Sequence, residues 1–294
     1  MQVVAIFGPT AVGKTGVAIA LAERLRERGE DPVAISCDAI QVYEGLEILS
    51  GAATPKERAA LEHRLLGIVP IDDEFSAGRY AQLAHGEIDQ LLAEGRRPIV
   101  VGGTGLYLRA ALSDLDLRPP VPGEIRREVE RELAEVGPET LHAQLDPDLA
   151  SGVHPRDRKR IARLTELERA GIAPARGSEG LWAEELRRPT VLVGLTVDRD
   201  DLARRIDERV DQMVAAGAVD EVKRADAGGA SRTARAAIGF EELLRGDVDA
   251  LKSAHRAYAR RQLTWMRKMA GVELIYRTGR EDGEVAAEVE AMLG

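Results

Sequence analysis

The chain has 294 residues, 44% of them hydrophobic and 31% charged, with a net charge of −9 at pH 7. That balance is expected of a soluble globular protein of one or two domains, and no apolar run approaches the roughly 20 residues of a membrane span. A single cysteine, Cys37, excludes a disulfide framework and fits a reducing cytoplasm, and no His/Cys cluster has zinc spacing.

The chain opens on Gln2–Phe7, an apolar run of buried-strand length that leaves no room for a signal peptide. Gly8, Pro9, Thr10, Ala11, Val12, Gly13, Lys14 and Thr15 follow and match the phosphate-loop pattern G-x-x-x-x-G-K-[ST] in full. From Gly16 to Arg28, Val17, Leu21 and Leu25 recur at helical spacing. Strand, glycine loop and helix is the arrangement that turns backbone N–H groups and a helix N-terminus toward phosphate oxygens. Lys14 adds a point charge, and the Thr15 hydroxyl is the expected Mg²⁺ ligand. The motif specifies a polyphosphate or pyrophosphate and does not say which.

A second strand is expected at Pro32–Ser36, ending at Cys37-Asp38-Ala39-Ile40-Gln41-Val42-Tyr43. In an open parallel sheet ligands bind beyond the carboxyl ends of the strands, which puts Asp38 on the rim of the phosphate loop. There it takes a proton, holds an amine, or only caps the following turn. Cys37 reads as a small buried residue and not a nucleophile. His63–Pro70 is expected as a third strand, Ser76 as the cap of a helix over Ala77–Ala93, and Pro98–Gly103 as a fourth strand leading to Thr104 on the same rim. That strand end reads Val-Gly-Gly-Thr, without the carboxylate that holds Mg²⁺ in many nucleotide hydrolases, which weakens an ATPase reading.

Three prolines and a glycine in Leu117–Gly123 mark a domain boundary. The chain from Glu124 to Leu186 reads as charged helix without a strand, and includes the basic run Arg156–Arg163. On a helix Arg156, Lys159, Arg160 and Arg163 share a face, either for a nucleic-acid backbone or for solvent. A strand returns at Thr190–Val197, followed by a helix with an acidic first turn from Asp198. Arg205 and Arg209 lie four apart on that helix and either clamp a phosphate or pair with carboxylates. A long helix over Asp249–Ala270 puts Tyr258, Arg261, Gln262 and Trp265 at i, i+3, i+4, i+7. Aromatic and basic residues so interleaved suit either stacked RNA bases or plain packing. Val272–Tyr276 is expected as a closing strand.

In chain order, GPTAVGKT at Gly8–Thr15, D-x-x-Q-V-Y at Asp38–Tyr43, VGGTGLY at Val101–Tyr107, HPRDRKRIARLTELE at His154–Glu168, IGFEEL at Ile238–Leu243 and ARRQLTWMRK at Ala259–Lys268 together resemble one family, the tRNA dimethylallyltransferases. The resemblance spans nearly the whole chain. It implies an α/β fold, a phosphate-loop parallel sheet flanked by helices, with a core of residues 1–118 and 190–294 and a helical insertion at 119–189 that contacts the tRNA anticodon stem. It implies transfer of a dimethylallyl group from dimethylallyl diphosphate to N6 of the adenine 3′-adjacent to the anticodon, with Mg²⁺, by a cytoplasmic chain expected to act as a monomer. Asp38 and Thr104 are then the expected catalytic residues. Gly8–Thr15, Arg205 and Arg209 hold diphosphate, and Asp38, Ala39, Ile40, Gln41, Arg126, Lys159, Arg160, Arg163, Arg261, Gln262 and Trp265 contact tRNA. Where the family has Asp-Ser this chain has Asp38-Ala39, and where it has Tyr and a basic residue after Ile-Gly this chain has Phe240 and Glu241. A small-molecule phosphate-loop kinase and an adenylate isopentenyltransferase are the alternatives.

Overall fold

A computed structural model describes residues 1–173 and 185–294. In chain order its elements are β1 (Val3–Phe7), α1 (Lys14–Glu27), β2 (Pro32–Ser36), the short helices α2 (Glu47–Ser50) and α3 (Pro55–Ala60), β3 (His63–Arg64), α4 (Ala77–Ala93), β4 (Arg97–Gly102) and α5 (Gly105–Leu112). Next come α6 (Gly123–Val136), α7 (Pro138–Gln144), α8 (Pro147–Ala150) and α9 (Arg158–Arg169). Then follow β5 (Thr190–Thr196), α10 (Arg199–Ala215), α11 (Ala218–Ala227), α12 (Arg232–Arg235), α13 (Phe240–Leu244), α14 (Val248–Lys268), β6 (Glu273–Tyr276) and α15 (Asp282–Ala291). The chain divides into two units, Met1–Asp114 with Trp182–Gly294, and Leu115–Leu181.

The first unit is built on a six-stranded sheet in the order β3-β2-β4-β1-β5-β6. Every pairing is parallel, with Val4 opposite Ile99 and Ala5 opposite both Val100 and Leu192. β1, β2 and β4 are buried along their whole length, which is why their sequences are continuous apolar runs without alternation. Val17, Leu21 and Leu25 of α1 pack with Val285, Ala286 and Val289 of α15 in the same core as Ile6, Ile99 and Leu195 of the sheet. Ser76 caps α4 as expected, its hydroxyl accepting from Arg79 N at 3.2 Å.

The third strand is much shorter than the expected His63–Pro70. Leu65 takes φ 59° and Gly67 φ 56°, so the backbone turns off the sheet after Arg64 and returns only as a single bridge between Tyr43 and Val69. Nothing in the residue type announces this, because leucine rarely occupies the left-handed region.

The second unit has no strand among its described residues. Leu133, Leu141, Leu145 and Ile161 form its core, and the His142 ring nitrogen Nε2 ties α7 to Ala150 O and Val153 O at 3.0 and 2.9 Å. Arg156 is not on the expected helix face: α9 starts only at Arg158, after the cap Asp157, whose carboxylate accepts from Arg160 N. The part of the expected helical segment at 174–184 lies outside the described residues.

Candidate active site

The order β2-β4-β1 puts three strand ends side by side on one rim. Out of β1 comes the phosphate loop. Ala11 and Gly13 both take left-handed backbone, φ 62° and 88°, and curl the chain into the first turn of α1. No side chain caps that helix. Its first N–H groups therefore stand open to an anion, with the helix dipole behind them. Lys14 folds back over the loop, Nζ donating to Gly8 O at 3.1 Å and Pro9 O at 2.9 Å. Its pKa is lowered to about 8, first by burial and then by the positive charge of Arg209, against the opposing pull of Asp38.

From the end of β2, Cys37 keeps the ladder going by donating its N–H to Val101 O at 2.9 Å. Its thiol is buried and pushed well up by desolvation, then by the Asp38 charge, so it is inert at neutral pH. Asp38 Oδ1 accepts from Ile40 N at 3.0 Å and Gln41 N at 3.4 Å, which folds residues 38–41 into a tight turn. Gln41 is drawn inward: Ser36 Oγ donates to its Oε1 at 2.9 Å, and its Nε2 donates to Gly51 O at 3.3 Å.

The end of β4 supplies Thr104, whose hydroxyl accepts from Ala39 N at 3.2 Å and lies 3.4 Å from Tyr258 Oη. Thr104 thus stands beside the residue that follows Asp38. Tyr258 Oη donates to Gly103 O at 3.3 Å, and its phenol pKa is raised by burial and then by Asp38. Tyr107, stacked on Tyr80 at 4.4 Å between centroids, is raised by burial, Tyr43 and Asp38 in that order. The one carboxylate of this turn therefore lies within electrostatic reach of two phenols, Tyr258 and Tyr107, and two cations, Lys14 and Arg209.

Helix α14 fastens the rim together. Thr10 N donates to Gln262 Oε1 at 2.9 Å, and Gln262 Nε2 donates to Gly103 O at 2.8 Å. The sequence reading puts Gln262 on RNA; in the structure both ends of its buried amide join the phosphate loop to the Thr104 loop. Trp265 lies against Gly105 so closely that a Cβ there would collide with its ring. Arg261 is exposed and covers the Tyr258 ring at 5.4 Å.

Arg205 and Arg209 part company. Arg205 Nε pairs with Asp201 at 2.8 Å. Arg209 Nη2 donates to Gly51 O at 3.3 Å, its Nε is buried without a partner, and its pKa is lowered by burial against the pull of Asp38. Two residues of this neighbourhood carry no signal in the sequence. Buried His255 has an unpartnered Nε2 and a pKa lowered to about 4 by burial and Arg209. Buried Glu221 accepts from Ile48 N at 2.8 Å and Leu49 N at 2.7 Å, holding the α2 turn that presents Gly51 to Arg209.

In the second unit, Arg126 and Arg163 converge on the buried carboxylate of Glu166, at 3.9 and 3.1 Å. Arg163 also donates to Pro119 O at 2.7 Å, so it fastens the entry of the unit. Arg160 is exposed and 3.5 Å from Asp157, and Lys159 is exposed as well.

A parallel α/β sheet with an uncapped phosphate loop, a carboxylate, a hydroxyl and a half-buried guanidinium on one rim defines a phosphate-loop protein built for group transfer. Residues 41–269 match the family model described as IPP transferase, and the chain belongs to that family. It is 39% identical over 280 residues to the tRNA dimethylallyltransferase of Thermobifida fusca, covering 90% of this chain and 87% of that protein. It is 40% identical over 285 residues to the tRNA dimethylallyltransferase of Anaeromyxobacter dehalogenans, covering 92% and 94%. The crystal structure of the tRNA isopentenylpyrophosphate transferase of Bacillus halodurans superposes with a TM-score of 0.72 at 33% identity, covering 99% of this chain and 95% of that one. A eukaryotic dimethylallyltransferase acting on tRNA superposes with a TM-score of 0.71 at 25% identity, covering 94% and 73%. Among the described residues no helix is long and apolar enough to cross a membrane.

Proposed function

We propose that this chain is a prenyltransferase that moves the dimethylallyl group of dimethylallyl diphosphate to N6 of the adenine 3′-adjacent to the anticodon of tRNA, releasing diphosphate. The observation that carries the reading is the juxtaposition of the phosphate loop with the Asp38–Thr104 turn, pinned together by Gln262. The first needs an anionic leaving group, the second an acceptor bearing a proton.

The C1–O bond of the donor breaks as the N6–C1 bond forms, and negative charge grows on the departing diphosphate. Lys14, the first-turn N–H groups of α1 and Arg209 are set to stabilise that charge. Arg205 is paired with Asp201. Asp38 holds the N6 amine and takes its proton as the new bond forms. An exocyclic adenine amine is a weak nucleophile, so orientation by Asp38 and Thr104 contributes more than basicity. The adenine must leave its stack to reach a rim so enclosed.

Mg²⁺ fits this donor set. The Thr15 hydroxyl that closes the phosphate loop is a hard oxygen ligand, of the kind Mg²⁺ would take together with substrate phosphate and water. When bound, the ion neutralises charge on the leaving diphosphate. The exposed Lys159 and Arg160, with Arg261 and Trp265 on α14, are the residues we assign to tRNA backbone and bases, the helical unit taking the anticodon stem. We place the reaction in the cytoplasm, with the chain acting as a monomer.

Incubation with labelled dimethylallyl diphosphate and bulk tRNA, with and without Mg²⁺, tests the reading. Label is expected in tRNA only. Label passing to free adenine nucleotide, or ATP turnover with a small acceptor, would overturn it.

A further inference from the structure

The phosphate loop has a second support that the transfer chemistry does not call for. Arg277, the residue after β6, is almost wholly buried at 6% exposure. Its Nη1 donates to Gly13 O at 3.0 Å and its Nη2 donates to Asp282 Oδ1 at 2.7 Å. Its own backbone N–H donates to Thr196 O at 2.9 Å, which anchors it to β5. Both residues lie outside the segment 41–269 that matches the family model.

Two glycines lie directly against this pair. Gly13 stands at φ 88°, and a Cβ there would collide with Arg277 Nη1. Gly16 lies in the first turn of α1. A Cβ at Gly16 would strike the carboxylate of Asp282. The phosphate-loop motif requires Gly13 but places no demand on position 16, so Gly16 reports the Asp282 contact independently.

We propose that Arg277, held by Asp282, is a positioning residue for the leaving diphosphate, acting through the peptide between Gly13 and Lys14. The proposal rests on the reading of Gly8–Thr15 as the diphosphate site. In a planar trans peptide the carbonyl and N–H point opposite ways. Gly13 O also accepts from Val17 N at 3.2 Å, so the guanidinium joins the first helical bond in holding this carbonyl and thereby turns Lys14 N–H the opposite way, into the loop. The bond is charge-assisted, and donation to a carbonyl polarises the N–H at the other end of the same peptide. Nη1 and Nη2 of Arg277 are directed at Gly13 and Asp282, and its Nε is buried without a hydrogen-bond partner.

The test titrates the full chain with inorganic pyrophosphate and Mg²⁺ in a calorimeter, beside steady-state kinetics. Lys14→Ala is the control for the underlying reading and should lose pyrophosphate binding. Arg277→Met, folded by circular dichroism, should bind pyrophosphate about tenfold more weakly and raise the donor KM alike, with the tRNA KM unmoved. Arg277→Lys should recover part of the loss. A merely structural role would lower the melting temperature and leave pyrophosphate affinity alone. Wild-type affinity in folded Arg277→Met, with Lys14→Ala impaired, overturns the proposal. Intact binding in Lys14→Ala overturns the diphosphate site and the proposal with it. Should Arg277→Met not fold, Gly16→Ala decides. It should displace Asp282 and weaken pyrophosphate severalfold, whereas a raised melting temperature with unchanged affinity refutes the contact.

Discussion

Replacing Asp38 by asparagine separates the turn-forming role of this residue from its chemistry. Asp38 Oδ1 accepts from Ile40 N at 3.0 Å and Gln41 N at 3.4 Å. An asparagine oxygen keeps both bonds, whereas alanine would lose them at about 1–2 kcal/mol. Two effects then remain. Asparagine cannot take the amine proton, which should lower turnover by about 10²–10⁴, or roughly 3–5.5 kcal/mol of barrier. Its neutrality also removes the charge that holds up the Lys14 pKa against burial and Arg209. That pKa should fall below its present value of about 8. Diphosphate needs Lys14 protonated, so kcat/KM for the donor declines as pH rises through this pKa, and the decline should begin at lower pH in the variant. Single-turnover transfer from a preformed complex, followed across Mg²⁺ concentration, reads the first effect, and steady-state kcat/KM for the donor, followed across pH, reads the second. Turnover within about threefold of wild type would refute the proton role. Full recovery in excess Mg²⁺ would reassign Asp38 to the metal.

Other expectations follow from the same geometry. Lys14→Ala should cost on the order of 2–4 kcal/mol of transition-state stabilisation and abolish the alkaline decline near pH 8; a mutant that keeps the decline would assign it to another group. Neutralising Lys159 and Arg160 together should raise the tRNA KM and flatten its dependence on salt by nearly one unit of log–log slope per lost contact. An equal loss toward the donor would mark these residues as structural. Glu221→Ala orphans the buried N–H of Leu49 and the half-buried N–H of Ile48 and should destabilise the fold by on the order of 2–4 kcal/mol. Urea unfolding measures it, and a change under 1 kcal/mol would show that the α2 turn stands without its carboxylate.

The parts of this protein legible from sequence are those whose physics is local. The phosphate loop, the Ser76 cap and the unbroken apolar strands each depend on a few adjacent residues. β3 was illegible because Leu65 adopts a left-handed backbone that its side chain disfavours, so tertiary context overrides propensity. The basic run 156–163 was half legible: composition shows the charge, but only the structure separates exposed Lys159 and Arg160 from Arg163, which is committed to Glu166 and Pro119. Arg209 and His255 meet across the fold, and no spacing rule joins positions so far apart.

Helix α14 shows where a periodicity argument stops. Spacing puts Tyr258, Arg261, Gln262 and Trp265 on one side of the helix, but an apolar stripe is at least about 100° wide and its members need not share a partner. Gln262 occupies the inner line and, with no exposed polar atom to spare, joins Thr10 to Gly103. Arg261, one residue earlier, is turned to the outer edge and lies over Tyr258 in solvent. One helix therefore does two jobs that a contact list by face would merge. Its inner line ties the phosphate loop to the Thr104 loop, and its outer edge leaves Arg261 exposed. Because the inner bonds are made to backbone atoms of both loops, any movement of α14 is passed to the phosphate loop and the Thr104 loop together.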